Sequence, residues 1–146
     1  VILRDPVERA FSHWKMEYFK GNDKEDFSSA IRKEEERLKG SKHRNFSYKS
    51  RGLYTQQLKR IYYHFSDRNI LLIKNDDLKN QHDKTLKSIF DFLEINYINV
   101  DKEYIQPSSM RNYKSDLTMS YTDKCFLEDF FKLEKQELRS IYRINL

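Results

Sequence analysis

Two side chains eight residues apart could do chemistry together. Arg4 follows three apolar residues in VILRDPVERAFSHW (1–14), and Ser12 lies in the helical pattern that starts at Pro6. A guanidinium can grip a phosphate bidentately, and a hydroxyl can donate to the same anion. At ~1.5 Å per residue along a helix the two lie ~12 Å apart, a gap that a long arginine side chain covers in large part. Spacing alone leaves two readings open. Both residues hold one anion, or Arg4 pairs with a nearby carboxylate and Ser12 is merely a small helix residue.

The elements that must position them can be read on either side. Val1-Ile2-Leu3 is apolar on both faces and predicts a short buried strand. Asp5 predicts an N-cap, Pro6 the first helical position, and Glu8 the third residue of a capping box. The helix carries Val7, Phe11, Trp14 and Tyr18 on one stripe and ends at Gly21-Asn22. Arg4 is thus the first residue past a strand, beside a helix N-terminus, where ligands of open parallel sheets collect.

Downstream, a helix is predicted from Lys24 to Leu38 with Phe27, Ile31 and Leu38 inward and Glu34-Glu35-Glu36 on a solvated face. Residues 39–50 read as a polar loop, in which Asn45-Phe46-Ser47 fits a glycosylation sequon of a kind that also arises by chance. GLYTQQLKRIYYHF (52–65) carries a helical stripe of Tyr54, Leu58, Ile61, Tyr62 and Phe65. NILLIK (69–74) predicts a second buried strand, and a helix after Asp76-Asp77 turns Leu86, Ile89, Phe90 and Leu93 inward. A loop from Gln106 to Ser115 precedes closing helices that hold Phe126, Phe130, Phe131, Leu133, Leu138 and Ile141. Strand–helix–helix–helix–strand–helix is an α/β order with parallel pairing. Two strands do not make a stable sheet between helix layers, so further strands are expected from sequence before Val1.

Composition narrows the function classes. The 146 residues suit one domain, and ten Tyr, ten Phe and one Trp supply core area despite an apolar fraction of 38%. A net charge of +5 spread through 35% charged residues favours an anionic ligand and is too dispersed to argue for nucleic acid. One cysteine, Cys125, excludes an internal disulfide and a cysteine-based zinc site, and is expected to pack as a small hydrophobe. No stretch is long and apolar enough for a membrane span, and the start lacks a signal-peptide layout.

ILRDPVERAFSHW resembles the 3′-phosphate-binding motif of the sulfotransferases that use 3′-phosphoadenosine 5′-phosphosulfate (PAPS), closest to their heparan-sulfate and bacterial-type branch. There a strand ends in Arg, Asp/Asn-Pro follows, and a Ser stands eight residues after the Arg. Arg4 and Ser12 match position for position. The block SRGLYTQQLKRIYYHFSDRNILLIKNDDLKNQHDKTLKSIFDFLEI is similar to the family's helix–strand–helix block, and MSYTDKCFLEDFFKLEKQELRSI to its closing helices. The resemblance implies a P-loop-like parallel sheet flanked by helices, of which residues 1–146 would be one incomplete, helix-rich C-terminal portion. It also implies that Arg4 and Ser12 bind the 3′-phosphate of PAPS or of its product, 3′-phosphoadenosine 5′-phosphate (PAP), without a metal. The family's basic loop over the nucleotide matches SSMRNYKSDL (108–117), making Arg111 and Lys114 candidate cofactor ligands, although that loop's usual glycine is absent. Arg51 and Tyr54 open the helix that in relatives faces nucleotide and acceptor, and Tyr54 equally fits the core stripe.

The family's 5′-phosphosulfate loop and its Glu or His base lie upstream of the Arg–Ser motif in relatives. His13, His43, His64 and His82 match no catalytic position, so no catalytic residue is assigned. The implied reaction moves a sulfuryl group from PAPS to a hydroxyl or amine of a glycan or related metabolite, by in-line attack with charge neutralised at the leaving group. A non-catalytic nucleotide- or anion-binding module of the same fold is the alternative, and a basic domain binding RNA or acidic partners is a third. Relatives occupy the Golgi lumen behind a membrane anchor or the bacterial cytoplasm, and a lone cysteine favours a reducing setting.

Overall fold

The computed structural model describes residues 1–40, 43–98 and 117–146. Its elements run β1 (Ile2–Leu3), α1 (Pro6–Phe19), α2 (Phe27–Arg32), α3 (Glu34–Leu38), α4 (His43–Phe46), α5 (Tyr54–His64), β2 (Ile73–Lys74), α6 (Asn75–Asn80), α7 (His82–Phe92), α8 (Tyr121–Phe130) and α9 (Lys132–Tyr142). β1 and β2 pair in parallel, Ile2 opposite Ile73 and Leu3 opposite Lys74. As expected, the crossover between them is made of helices.

The strands are shorter than the apolar runs, because only Ile73 and Lys74 of 69–74 find a partner strand. β1 is not buried on both faces: Leu3 is 3% exposed, whereas Ile2 is 56% exposed. A two-stranded sheet covers one face only, so alternate residues stand open.

Helix α1 forms as its sequence dictates. The Asp5 carboxylate accepts from the amides of Val7 (2.9 Å) and Glu8 (3.0 Å), and Pro6 occupies the first turn. The helix closes at Gly21, whose φ of +74° suits a residue without Cβ. Val7, Ala10 and Trp14 are buried against Phe27, Ala30, Ile31, Phe46, Tyr48, Leu127 and Phe131. A second cluster of Leu3, Tyr54, Leu58 and Leu138 sits beneath the strand tip. Fully burying such side chains stabilises by about 1.5–3 kcal/mol each.

The single helix expected over 24–38 is two. Asp26 caps α2 through the Ser29 amide, and the backbone breaks at Lys33 before α3. The 39–50 stretch is not simply a polar loop, since α4 lies in it and Phe46, Ser47, Tyr48 and Lys49 are buried. Cys125 does not pack as a core hydrophobe; it is exposed on α8. Leu93, Phe130, Leu133 and Ile141, read as inward, are also exposed. Helical periodicity identifies an apolar face without saying whether a neighbour covers it. Among the described residues no helix is long and apolar enough to cross a membrane.

Candidate functional site

The strand tip and the first turn of α1 are held from three directions. Tyr54, at the start of α5, donates its hydroxyl to the Arg4 carbonyl at 3.0 Å. Lys135 of α9 reaches the second carboxylate oxygen of Asp5 at 2.6 Å while also holding Glu128 at 2.9 Å. Gly52 packs on Pro6 and Phe131 so closely that a Cβ there would lie 3.0 Å from Pro6 Cβ. Each tether bears on Arg4 or on one of the two residues that follow it.

Arg4 sits where the sequence places it, at the carboxyl end of β1. Its Nη2 lies 3.4 Å from Glu8 Oε2, with side chains 31% and 55% exposed. Glu8 therefore turns to Arg4 rather than closing the capping box. An exposed pair of this kind contributes roughly 0–1 kcal/mol, so a doubly charged phosphate competes with it readily. Ser12 is half-buried one turn beyond Glu8, and residues four apart share a helix face. No hydrogen bond joins Arg4 to Ser12. They lie along the stripe that Glu8 occupies between them.

The core reading of Tyr54 is the one observed: it is 7% exposed, in the cluster with Leu3, Leu58 and Leu138. Burial pushes its phenol pKa up, which keeps it a neutral donor to Arg4. Arg51 lies in a 3₁₀ turn, Ser50–Gly52, with its side chain in solvent. Arg111 and Lys114 lie outside the described residues.

Two charged residues that sequence reasoning passed over hold this turn. Arg9 Nη2 donates to the carbonyls of Ser47 (3.2 Å) and Tyr48 (3.3 Å). Burial, with the neighbouring charges of Arg51 and Arg4, pushes the Arg9 pKa down. Glu34 was expected in solvent and is buried, its two oxygens accepting from the amides of Lys49 (2.6 Å) and Ser50 (2.8 Å). The signal for it was present: Phe27, Ala30, Ile31, Glu34 and Leu38 fall at the helical spacing of one inward stripe. Beside Arg9, His13 is buried and in edge contact with Tyr48, its ring centroid 5.0 Å away.

Arg4, Arg9 and Arg51 thus gather at one end of α1, where the charges of Arg51 and Arg4 act on Arg9 against the pull of Glu34. Among the described residues the exposed Glu8 is the only carboxylate within ion-pair distance of any of the three. Like charges so placed repel and are relieved by an anion. The donor set fits a phosphate or sulfate group.

The family model of the sulfotransferase domain matches residues 1–138. Among solved structures, the chain is similar to the crystal structure of a sulfotransferase from Alicyclobacillus acidocaldarius. The TM-score is 0.85 and the identity 22%, over 99% of this chain and 54% of that one. The chain therefore spans about half the length of that relative, and at this identity the likeness is one of fold: the α/β, P-loop-like class expected from the sequence. Comparison with curated proteins gives no match. With a strand-tip arginine, a capped helix behind it and a family match running from Val1 to Leu138, this chain belongs to the sulfotransferase domain family.

Proposed function

We propose that this domain binds the 3′-phosphate of PAPS through Arg4 and Ser12, as part of an enzyme that sulfates a hydroxyl or amine of a glycan or related metabolite. PAPS supplies the sulfuryl group, and the residues of this chain hold the nucleotide end. The observation that carries the reading is Arg4 at the tip of β1, with Ser12 two turns along on the stripe that Glu8 shares, in a chain of the sulfotransferase domain family. Arg4 would grip the phosphate with its fork of N–H donors while Ser12 donates its hydroxyl. Asp5 fixes the α1 N-terminus, whose partial positive charge favours an anion there. Arg111 and Lys114, in the sequence stretch 108–117, are proposed to bind the same nucleotide. Tyr54 would serve the site by supporting the Arg4 backbone through its hydroxyl.

The test is isothermal titration of PAP into the full-length polypeptide, with adenosine 5′-phosphate as the control lacking a 3′-phosphate. Binding that prefers PAP and weakens at least about tenfold in Arg4→Ala is expected, in line with loss of a charge-assisted bond. Equal binding of the two nucleotides, or an Arg4→Ala variant with wild-type affinity, would refute the reading. Transfer of labelled sulfate from PAPS to a glycan acceptor separates the enzyme from a binding module of the same fold.

A further inference from the structure

We propose that Arg51 contributes a second guanidinium to the phosphate held by Arg4 and Ser12, and that Arg9 and Glu34 are the positioning residues that hold it there. The proposal rests on the phosphate reading above and adds a cation and two supports to it.

The path of the chain makes Arg51 unusual. Residues 46–49 are buried, Ser50 and Arg51 emerge into solvent, and Gly52 is buried again against Pro6 and Phe131. A two-residue outcrop between buried anchors has little freedom. Each of the four preceding residues is gripped at its backbone by a charged side chain: Arg9 takes the carbonyls of Ser47 and Tyr48, Glu34 the amides of Lys49 and Ser50. The Lys49 ammonium lies over the Phe126 and Phe130 rings, 5.4 and 4.9 Å from their centroids. Withdrawing a carboxylate from water is costly unless it is well bonded, as both oxygens of Glu34 are. Arg9 is bonded through Nη2, while its buried Nε has no partner among the described residues.

The turn so clamped presents Arg51 beside the motif helix. Gly52 touches Pro6, and Tyr54, three residues after Arg51, touches the Arg4 carbonyl. Arg9 and Ser12, three residues apart, lie one turn along α1 and ~60° apart around its axis. Among the described residues Arg51 has no ion pair and its guanidinium makes no hydrogen bond. A free guanidinium, held on a rigid turn beside two others, is placed to receive an anion rather than to stabilise the fold.

The experiment is a double-mutant cycle on PAP affinity in the full-length polypeptide, with Arg51→Ala, Glu34→Gln, their combination, Arg51→Lys and Arg4→Ala. Circular dichroism melts establish that each variant is folded. Glu34→Gln keeps the shape but offers one acceptor to two amides, so the turn loosens. Arg51→Ala and Glu34→Gln are each expected to weaken PAP binding by about tenfold, the combination no more than Arg51→Ala alone, and Arg51→Lys less than Arg51→Ala. Losses that multiply in the double variant would mean that Glu34 acts through the fold at large, and would overturn its positioning role. Loss in Arg4→Ala without loss in Arg51→Ala overturns this proposal alone, whereas wild-type affinity in Arg4→Ala overturns the phosphate reading and this one with it. If Glu34→Gln does not fold, Arg9→Met, which keeps the apolar stem and removes the donors to both carbonyls, completes the same cycle.

Discussion

The hydroxyl of Tyr54 and the backbone carbonyl of Arg4, fifty residues apart in sequence, are joined at 3.0 Å. The bond ties the first turn of α5 to the last residue before the α1 cap, so a core aromatic doubles as a support for the strand-tip arginine. Tyr54→Phe keeps the ring and removes the donor. It is expected to lower stability by ~1 kcal/mol in urea unfolding and to weaken PAP binding, because the Arg4 backbone gains freedom. Unchanged unfolding and unchanged titration together would show the bond to be idle.

Lys135 is the corresponding tether on the other side. Its ammonium bridges Asp5 and Glu128 at 2.6 and 2.9 Å. Burial lowers its pKa, but its hydrogen bonds to the two carboxylates outweigh that and leave it raised. A raised value means that the bridge stabilises fully below the unfolded pKa of about 10.5 and is lost as the pH climbs through the folded one. Lys135→Met is expected to cost roughly 1–3 kcal/mol at pH 7. The wild-type advantage should vanish in strongly alkaline urea titrations; a deficit that persists there would assign the effect to packing.

Gly52 tests the close approach of the turn to α1. A Cβ at this position would lie 2.8 Å from two atoms of the Phe131 ring, which is completely buried, and 3.0 Å from Pro6 Cβ. Gly52→Ala should therefore destabilise by about 1–3 kcal/mol, the usual cost of overpacking. The lowered melting temperature should come with weaker PAP binding, since Pro6 and Arg51 move apart. A melt superimposable on wild type would show that the ring gives way freely.

His13 sets an acid limit to stability. Burial and the neighbouring Arg9 and Arg51 charges push its pKa down to about 4, against the pull of Glu17, whose Oε1 lies 4.0 Å from Nε2. The folded value is below the unfolded one of about 6.5, so the unfolded chain takes up the proton first as pH falls. Stability is full above about pH 6.5 and drops by up to about 1.4 kcal/mol per pH unit down to about 4. His13→Gln should flatten the unfolding free energy across that window, measured by urea titration at half-unit steps. A wild-type curve already flat there would show that His13 is protonated without cost.

Much of this molecule was legible from local pattern. Strand, cap, proline and helix at 1–19 follow one another because each is decided by neighbours within four residues. The helical stripe of α5 was legible for the same reason, and the parallel pairing of the two apolar runs from the strand–helix–strand order of elements. Less legible were features that depend on what covers what. Glu34 occupies an inward helical position, yet a cluster of three acids reads as a solvated face; only the distant amides of Lys49 and Ser50 make its burial possible. Cys125 and Ile141 sit in apolar-rich helices and are exposed, because no described element packs over them.

By itself, then, the sequence determined the chemistry on offer: an arginine at a strand tip, a capped helix behind it, a serine two turns along, and their likeness to one family. What the tertiary structure alone decided is the company Arg4 keeps. Tyr54, Lys135 and Gly52 tie down the motif turn, while Arg9 and Glu34 bring Arg51 beside it. The physical reason is range: caps and turns are satisfied within a few residues, whereas buried charges and unpaired amides find partners wherever the packed chain brings them.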